Sequence, residues 1–371
     1  MTDQDRGAIG LAERMLGLLD EGSFSATYKY ALLMALLDLC LEKMSGRGVP
    51  PETVTTRQLA EKVVELYWPH AAPYRGQHVL RQGGVRQGNQ AEIVSAIAAH
   101  RAGVARDPDQ PVFRARLADP ERFEKLVRFV EWKLIEMPIP RLQWVGPEEI
   151  RFLYEYAWTK HVRQSEVSAY QRGAPRTFDN RLLLRAGVAE NLVRLNGLLR
   201  PLLHREWARM VAAMNRLPES ELDDFLFGAT RVPLDPVRAP LLSLQAGRCF
   251  YCQTRLSGPS EVDHFIPWAR YPNNGLENLV VAHARCNNRK RDFLAAARHV
   301  ENWSGRARAH ASDLEVVASE LDWERDPSRS RSVAVAIYSR LPEEARLWER
   351  ESELVAMERP RILAALGRLA A

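Results

Sequence analysis

"EVDHFIPWARYPNN", residues Glu261–Asn274, places an Asp-His pair inside a segment that is otherwise largely apolar and aromatic. The valine, phenylalanine and isoleucine around the pair favour a β-strand, because such side chains fit a half-buried pleated surface. Successive side chains of a strand face opposite sides, so polar residues can line a cleft while their neighbours pack. The segment therefore predicts a strand that carries Asp263 and His264 to a functional cleft.

Three of the four cysteines lie close to this strand. Cys249 and Cys252 precede it with a two-residue gap, and His283 and Cys286 follow it with the same gap. Such a gap lets two side chains of a tight turn bind one metal ion, and four ligands of this kind suit tetrahedral zinc. We predict a structural Zn²⁺ on these four residues, against a chance CxxC or a metal-free redox pair. Cys40, in an apolar helix, is predicted to be a core residue.

Three segments, "GRCFYC", "EVDHFIPW" and "LENLVVAHARCNNRK", together resemble the HNH endonuclease family in its zinc-stapled form. The resemblance covers about residues 245–298 and implies a β-hairpin and a following helix that grip one divalent metal ion. The sequence fits this pattern, with a Gly258-Pro259 turn, the strand, a loop and a helix from Ala284 to Arg298. The predicted fold class is α+β, a mainly α-helical protein that carries a small ββα-metal nuclease core.

The resemblance also implies roles for the polar residues. Phosphodiester cleavage needs a base for the attacking water and positive charge on the phosphate. His264 matches the general base, and Asp263 and Asn287 match the ligands of a catalytic Mg²⁺ or Mn²⁺, which prefers hard oxygen atoms. Asn278 matches the supporting residue in the middle of the motif. The signature ends in Asn287 rather than histidine, a variant the family also uses, and His283 stands where cysteine is commoner. The alternative is that these side chains are structural.

The charge distribution favours a nucleic-acid partner, with DNA as the expected form. Between Arg248 and Arg308 basic residues outnumber acidic ones two to one, an excess equal to the net charge of +5 of the whole chain. The run "NNRKRD" lies beside a predicted metal ligand, where phosphate must dock. Its basic residues occupy successive faces of a helix, so we do not expect all of them to reach phosphate. The alternative to phosphate binding is that the run is only a solvated face of the helix. The predicted phosphate contacts are Arg285, Arg289, Lys290 and Arg291.

The length of 371 residues exceeds one average domain. We predict a helical N-terminal region over residues 1–235 for recognition of a target or partner, the nuclease core over 236–310, and a helical C-terminal extension over 311–371. "TTRQLAEKVVELYW" opens with a Thr55–Gln58 capping box and predicts one of the helices.

The segment from His70 to Ala91 contains no acid and carries three arginines. It fits either a loop that reads DNA bases, because Arg and Gln pair with guanine and adenine edges, or a solvated loop. The arginines concerned are Arg75, Arg81 and Arg86.

The expected function is a metal-dependent endonuclease, in restriction or phage defence; the alternative is a zinc-containing nucleic-acid-binding module without catalysis. One site of this kind cuts one strand, so a double-strand break requires a homodimer or sequential nicks. A homodimer or partner protein would bind through the N-terminal region. No secretory signal is seen and the longest apolar run, "ALLMALLDLCL", is too short for a bilayer, so a cytoplasmic protein without membrane contact is expected.

Overall fold

A computed structural model describes most of the chain and is 57% helical with small sheets, which confirms the mainly α-helical α+β class. The chain divides into two compact units, Met1–Cys40 with Pro51–Arg231, and Leu41–Pro50 with Val232–Ala371. Across the described part of the chain, every helix is too short or too polar to cross a membrane. The described residues are 3–21, 25–83, 90–105, 109–145, 147–174, 178–228 and 232–367.

The first unit is built from helices and two small sheets. Its helices are α1 (Asp3–Glu21), α2 (Tyr28–Glu42), α3 (Thr56–His70), α4 (Glu92–Val104), α5 (Val112–Ala118), α6 (Pro120–Glu136), α7 (Ile139–Leu142), α8 (Gln164–Gln171), α9 (Val188–Arg194), α10 (Asn196–Asn215) and α11 (Asp223–Phe227). Its strands are β1 (Thr53–Thr55), β2 (Trp144–Val145), β3 (Glu148–Glu149), β4 (Tyr154–Tyr156) and β5 (Arg181–Leu184), and a short 3₁₀ helix spans Glu219–Glu221.

Local sequence signals explain several of these elements. The predicted capping box is confirmed at the start of α3, where Thr55 Oγ1 accepts from the Gln58 backbone and the Gln58 side chain accepts from the Thr55 backbone. The apolar run of α2 is almost wholly buried. Its Asp38 forms a buried ion pair with Arg200 of α10, which neutralises a charge that the core would otherwise leave unpaired. These helices are therefore held by burial and by specific polar partners together.

The three-stranded sheet of the first unit is antiparallel, in the order β1-β5-β4. β5 lies in the middle, with Leu182 paired to both Val54 and Tyr156. All the strands are short, and the start of β4 and the end of β5 lie at the same end of the sheet, because Tyr154 pairs with Leu184.

The second unit contains the segment Glu261–Asn274 with its Asp-His pair. Its helices are α12 (Asp235–Leu244), α13 (Ala284–Lys290), α14 (Ala297–Ala309), α15 (Ala311–Leu321), α16 (Pro327–Ser339) and α17 (Arg359–Gly367). Its strands are β6 (Ser260–His264), β7 (Leu279–His283), β8 (Arg346–Arg350) and β9 (Glu353–Ala356), with a short 3₁₀ helix at Leu276–Asn278.

The hairpin of β6 and β7 is anchored by its apolar face. The strands pair antiparallel, with Asp263 opposite Val280 and His264 opposite Leu279. Leu279 and its neighbour Val281 belong to a buried cluster that also includes residues of α12 and α15. Burial of aliphatic side chains of this kind stabilises by about 1.5–3 kcal/mol each, so the hairpin is a rigid support for its polar residues. The helix members of the cluster are Val237, Leu241, Leu314, Val317 and Ala318.

The helix predicted from Ala284 to Arg298 is two helices, and this prediction was wrong. α13 ends at Lys290, and Arg291 has a φ of 48°, outside helical geometry. The intervening backbone pairs with β8, since Trp348 N donates to Leu294 O at 2.9 Å and Ala296 N donates to Trp348 O at 2.8 Å. The described residues from 311 to 367 lie in the same compact unit as the hairpin, and their role as a helical C-terminal extension stays a prediction.

Candidate functional site

The four predicted zinc ligands lie together in the second unit. The ligand atoms of all four residues are within 4.8 Å of one another. The first pair lies in the turn before the hairpin, the third ligand ends β7, and the fourth lies in the first turn of α13. The Cys₃His donor set and its closeness are typical of a zinc-type structural metal group. Its members are Cys249, Cys252, His283 and Cys286.

The thiols of this group carry an electrostatic conflict that a cation would resolve. Burial would raise the pKa of Cys252, but hydrogen bonds, first from Thr254 and also from His283, lower it to about 6. Burial and the neighbouring cysteines raise the pKa of Cys286 to about 12. Several thiolates therefore cannot share this space without positive charge among them, which fits a divalent metal ion.

A cleft of about 220 Å³ lies at the end of the hairpin and brings together the predicted polar residues. Asp263 and His264 of β6 and Asn287 of α13 all line it. Consecutive residues within a strand face opposite sides of the sheet. His264 is the last residue of β6, however, and both its side chain and that of Asp263 line the same cleft. The cleft is therefore a meeting point of one carboxylate, one imidazole and one amide.

The carboxylate of Asp263 is held by two buried side chains. Tyr251 donates its hydroxyl to Asp263 Oδ2 at 2.5 Å, and Lys290 Nζ lies 3.1 Å from the same oxygen. Both partners act on Oδ2, and no hydrogen bond to Oδ1 is found in the part of the chain that is described. The pKa of Tyr251 is raised well above its ordinary value, mainly by burial and next by the adjacent carboxylate of Asp263. The hydroxyl therefore keeps its proton and remains a donor.

The imidazole of His264 is oriented by Asn274. Nε2 of the ring lies 2.8 Å from Asn274 Oδ1. Because a carbonyl oxygen can only accept, Nε2 carries the proton and Nδ1 keeps its lone pair. The Trp268 ring lies against the imidazole with centroids 5.2 Å apart. Burial lowers the pKa of His264, so the ring is neutral at pH 7.

The two asparagines of the motif have different surroundings. Asn287 Nδ2 donates to Glu261 Oε2 at 2.8 Å, which fixes the amide and turns its oxygen away from that carboxylate. Asn278 is buried and is absent from the cleft lining. Its Oδ1 accepts from Ile266 N at 2.8 Å, and its Nδ2 donates to Ile266 O at 3.1 Å and Asn273 O at 3.0 Å. These bonds tie both ends of the loop that carries Asn274.

The four predicted phosphate contacts separate in the structure. Arg285 and Arg291 are exposed, and Arg291 lines the cleft. Arg289 is also exposed, but it forms an ion pair with Glu351. Lys290 is fully buried and donates to His264 O at 2.9 Å, so it is not available to a phosphate. Its prediction as a nucleic-acid contact is corrected: it is a support for Asp263 and for the backbone of His264.

The predicted arginine-rich loop of the first unit is only partly described. Arg75 forms an ion pair with Glu221 at 3.0 Å, and Arg81 Nη2 donates to Met214 O at 3.1 Å. Arg86 lies outside the described residues. The two described arginines therefore have intramolecular partners, which favours the solvated-loop alternative.

Four residues of the site were not predicted from the sequence. They are Tyr251, Glu261, Trp268 and Asn274. Glu261 had a usable signal, because it lies two residues before Asp263 and so on the same face of β6. The only signal for Tyr251 was its position between two metal-ligand cysteines. The only signal for Asn274 was its position in the loop.

Comparisons with known proteins agree with this geometry. Residues 249–296 match a family model described as HNH endonuclease. Residues 10–226, more than half of the chain, match a model described as a domain of unknown function (DUF8808). Searches of curated proteins and of solved structures gave no match.

Proposed function

We propose that this chain, which belongs to the DUF8808 domain family and carries an HNH endonuclease domain, is a metal-dependent endonuclease that hydrolyses phosphodiester bonds in DNA. The observation that supports this best is the single cleft lined by Asp263, His264 and Asn287. A nucleic-acid-binding module without catalysis would not need a base and two oxygen ligands at one place. A role in restriction or phage defence, and a homodimer, stay predictions.

His264 acts as the general base. Its Nε2 is protonated and held by Asn274, so Nδ1 is the atom that takes a proton from the attacking water. The low exposure of the ring keeps it neutral and ready to accept a proton at pH 7. Trp268 restricts the tilt of the ring, which preserves the geometry for the transfer.

Asp263 Oδ1 and Asn287 Oδ1 are the atoms that would hold the catalytic ion. Their other polar atoms are engaged, by Tyr251 and Lys290 for Asp263 and by Glu261 for Asn287. Two hard oxygens suit Mg²⁺ or Mn²⁺, whereas the Cys₃His group suits zinc. When bound, such an ion neutralises charge on the phosphate and on the leaving oxygen.

The test is incubation of the purified protein with supercoiled plasmid, linear DNA and RNA, each with Mg²⁺, Mn²⁺ or EDTA. We expect the plasmid to be nicked or linearised with Mg²⁺ or Mn²⁺ and left intact with EDTA. Cleavage of RNA alone would change the substrate class. Binding of DNA without cleavage under any of these conditions would overturn the proposal in favour of the inactive module.

Tyr251→Phe should lower activity because it removes one of the two groups that hold Asp263. We expect cleavage or apparent Mg²⁺ affinity to fall about 10–100-fold, the usual effect of losing a residue that orients a metal ligand. The measurement is cleavage rate against Mg²⁺ concentration. The matched control is Tyr154→Phe, which removes a buried hydroxyl of the first unit that donates to Ile139 O at 2.8 Å. Equal behaviour of the two variants would exclude the positioning role.

Arg291→Ala should weaken DNA binding through loss of a phosphate contact. We expect the slope of log affinity against log salt to fall by about one, as for the loss of one such cation. Arg289→Ala, from the same basic run, should change the slope less because Glu351 already neutralises that charge. Binding titrations at several salt concentrations give both slopes. An equal loss in both variants would show that the whole run contacts phosphate.

A further inference from the structure

A second cleft, of about 560 Å³, lies within the first unit. Its walls come from α1, from the residues just before β4, and from the turn between β5 and the first residues of α9. All its lining residues belong to the first unit, whereas the β6–β7 hairpin belongs to the second. Its size is in the range of pockets that hold small organic ligands.

The lining of this cleft is cationic. Arg14, Arg151 and Arg185 line it, and no carboxylate does so among the lining residues that are described. Arg14 is exposed and has no carboxylate partner in the described part of the chain. A guanidinium group presents several donors in a planar fork, which matches the oxygens of a phosphate.

Two of the three arginines are held in fixed orientations. Arg151 is paired with Glu149 through Nε and Oε1 at 2.9 Å and through Nη2 and Oε2 at 3.2 Å, and it donates from Nη1 to Glu155 Oε2 at 3.1 Å. Arg185 lies 2.6 Å from Glu155 Oε1 through Nη2 and donates from Nε to Arg151 O at 3.1 Å. The carboxylates of Glu149 and Glu155 offset the formal charge of these two arginines and fix their orientation, and Arg14 supplies the cation that remains. Fixed donors lose little entropy when a ligand binds.

The cleft also has apolar walls. Leu11 and Phe152 line it and are almost fully buried, while Ile150 lines it with 44% of its surface exposed. Apolar and cationic surfaces in one cleft suit a ligand that has an organic part and an anionic part. A bare inorganic anion would use only the arginines.

We propose that this cleft binds a phosphate-bearing nucleotide, with the phosphate at Arg14, Arg151 and Arg185 and the base and sugar against the apolar wall. The same chemistry is offered by a free nucleotide and by the phosphorylated end of a DNA strand. The inference goes beyond the nuclease activity and does not depend on it, because every lining residue of the cleft belongs to the first unit and none to the HNH endonuclease match.

Gly10 allows a sharp test because it lines the cleft from α1. A Cβ atom at Gly10 would meet nothing within 4 Å, whereas one at Gly7 would lie 3.3 Å from Asn191 Nδ2. Gly10→Leu therefore adds an apolar side chain at the wall of the cleft, with no atom within 4 Å of its Cβ, and it replaces a glycine in a helix by a good helix former. We expect the fold of this variant to be at least as stable as that of the wild type.

The experiment is calorimetric titration of the full-length protein, without added Mg²⁺ or Mn²⁺, with AMP, ATP and inorganic phosphate. Fluorescence anisotropy with a short single-stranded DNA, bearing either a 5′ phosphate or a 5′ hydroxyl, distinguishes the two sources. We expect a nucleotide or the phosphorylated strand to bind more tightly than phosphate alone. Arg14→Gln should weaken that binding about tenfold, and Gly10→Leu should abolish it. The control, Arg209→Gln, alters an exposed arginine of the same unit that does not line the cleft.

Three results would overturn the inference. They are no binding of any probe, equal binding of nucleotide and inorganic phosphate, and binding that both cleft variants leave unchanged. If Gly10→Leu does not fold, Arg14→Gln decides alone, since an exposed side chain can be changed without loss of core packing. Because the readout is binding, loss of nuclease activity and loss of this site are measured separately.

Discussion

We expect His264→Ala to abolish cleavage, while the protein should still fold, keep its structural metal and bind DNA. A positioned general base contributes about 10²–10⁴-fold to a hydrolysis rate, so the remaining activity should be near the detection limit. Under the proposed mechanism the ring would accept the proton of the attacking water through Nδ1, and it is not a member of the Cys₃His group. No other imidazole lines the cleft among its described residues, so none can substitute.

The measurement is plasmid nicking by wild type and variant at matched concentrations, with zinc content, thermal unfolding and DNA affinity determined on the same preparations. His310→Ala is a suitable control, because that histidine is partly exposed and pairs with Asp313 at 2.8 Å, away from the cleft lining. Full activity in His264→Ala would remove the base from the mechanism whatever the other variants do. Loss of zinc or of folding would make the histidine structural.

The candidate site was predictable where its chemistry is local in the sequence. The two metal-ligand pairs each lie within one turn, so their spacing alone indicates that they can meet. The Asp-His pair ends a strand whose apolar partners are adjacent in the chain. Asp263, His264 and Asn287, which the resemblance to the HNH endonuclease family singled out, line one cleft.

What the sequence did not reveal depends on contacts between distant residues. The break after α13 follows from pairing with Trp348, some fifty residues further along the chain. In the sequence Lys290 is part of a basic run. In the structure it is buried and contacts Asp263 and His264 of β6. No periodicity of a single segment distinguishes a buried lysine from its exposed neighbours.

The division of the chain into two units also depends on contacts between residues that are distant in the sequence. Residues 41–50 belong to the second compact unit although they lie far from it in sequence. Tyr271 donates to Glu42, and Arg340 donates to the backbone oxygen of Gly48 at 2.6 Å. A fragment that begins near Val232 would lack these contacts, so the full chain is the proper object for every experiment proposed here.

Cys252→Ser should remove the structural metal and destabilise the second unit. Wild-type protein prepared without chelator should contain one zinc per chain, held by the four residues whose ligand atoms lie within 4.8 Å of one another. Serine offers a poor zinc ligand, because its hydroxyl stays protonated where a thiol near a cation ionises. The variant should therefore lose most of its zinc when challenged with a mild chelator.

The loss matters for stability because the ligands connect separate elements. Cys252 lies before the hairpin, His283 ends β7, and Cys286 lies in the first turn of α13, so the ion would join the turn, the hairpin and the helix that carries Asn287. Structural zinc is worth about 10–16 kcal/mol in peptides that fold only around the metal, and a larger unit with its own core should lose a fraction of that. A loss of about 4 kcal/mol would lower the unfolding midpoint by roughly 10 °C in a unit of this size.

Elemental analysis and thermal unfolding with and without chelator measure both effects. Cys40→Ala is the control, because Cys40 is a buried core cysteine outside the metal group; it should keep the zinc and lose only packing. Chelation should lower the unfolding midpoint of the wild type and of Cys40→Ala, and should leave that of Cys252→Ser nearly unchanged, since the last has no metal to lose. Absence of zinc from the wild type, or full zinc in Cys252→Ser, would contradict the assignment. The cleavage rate should fall together with the zinc content. The reason is that α13 carries Cys286 in its first turn and also presents Asn287 to the cleft.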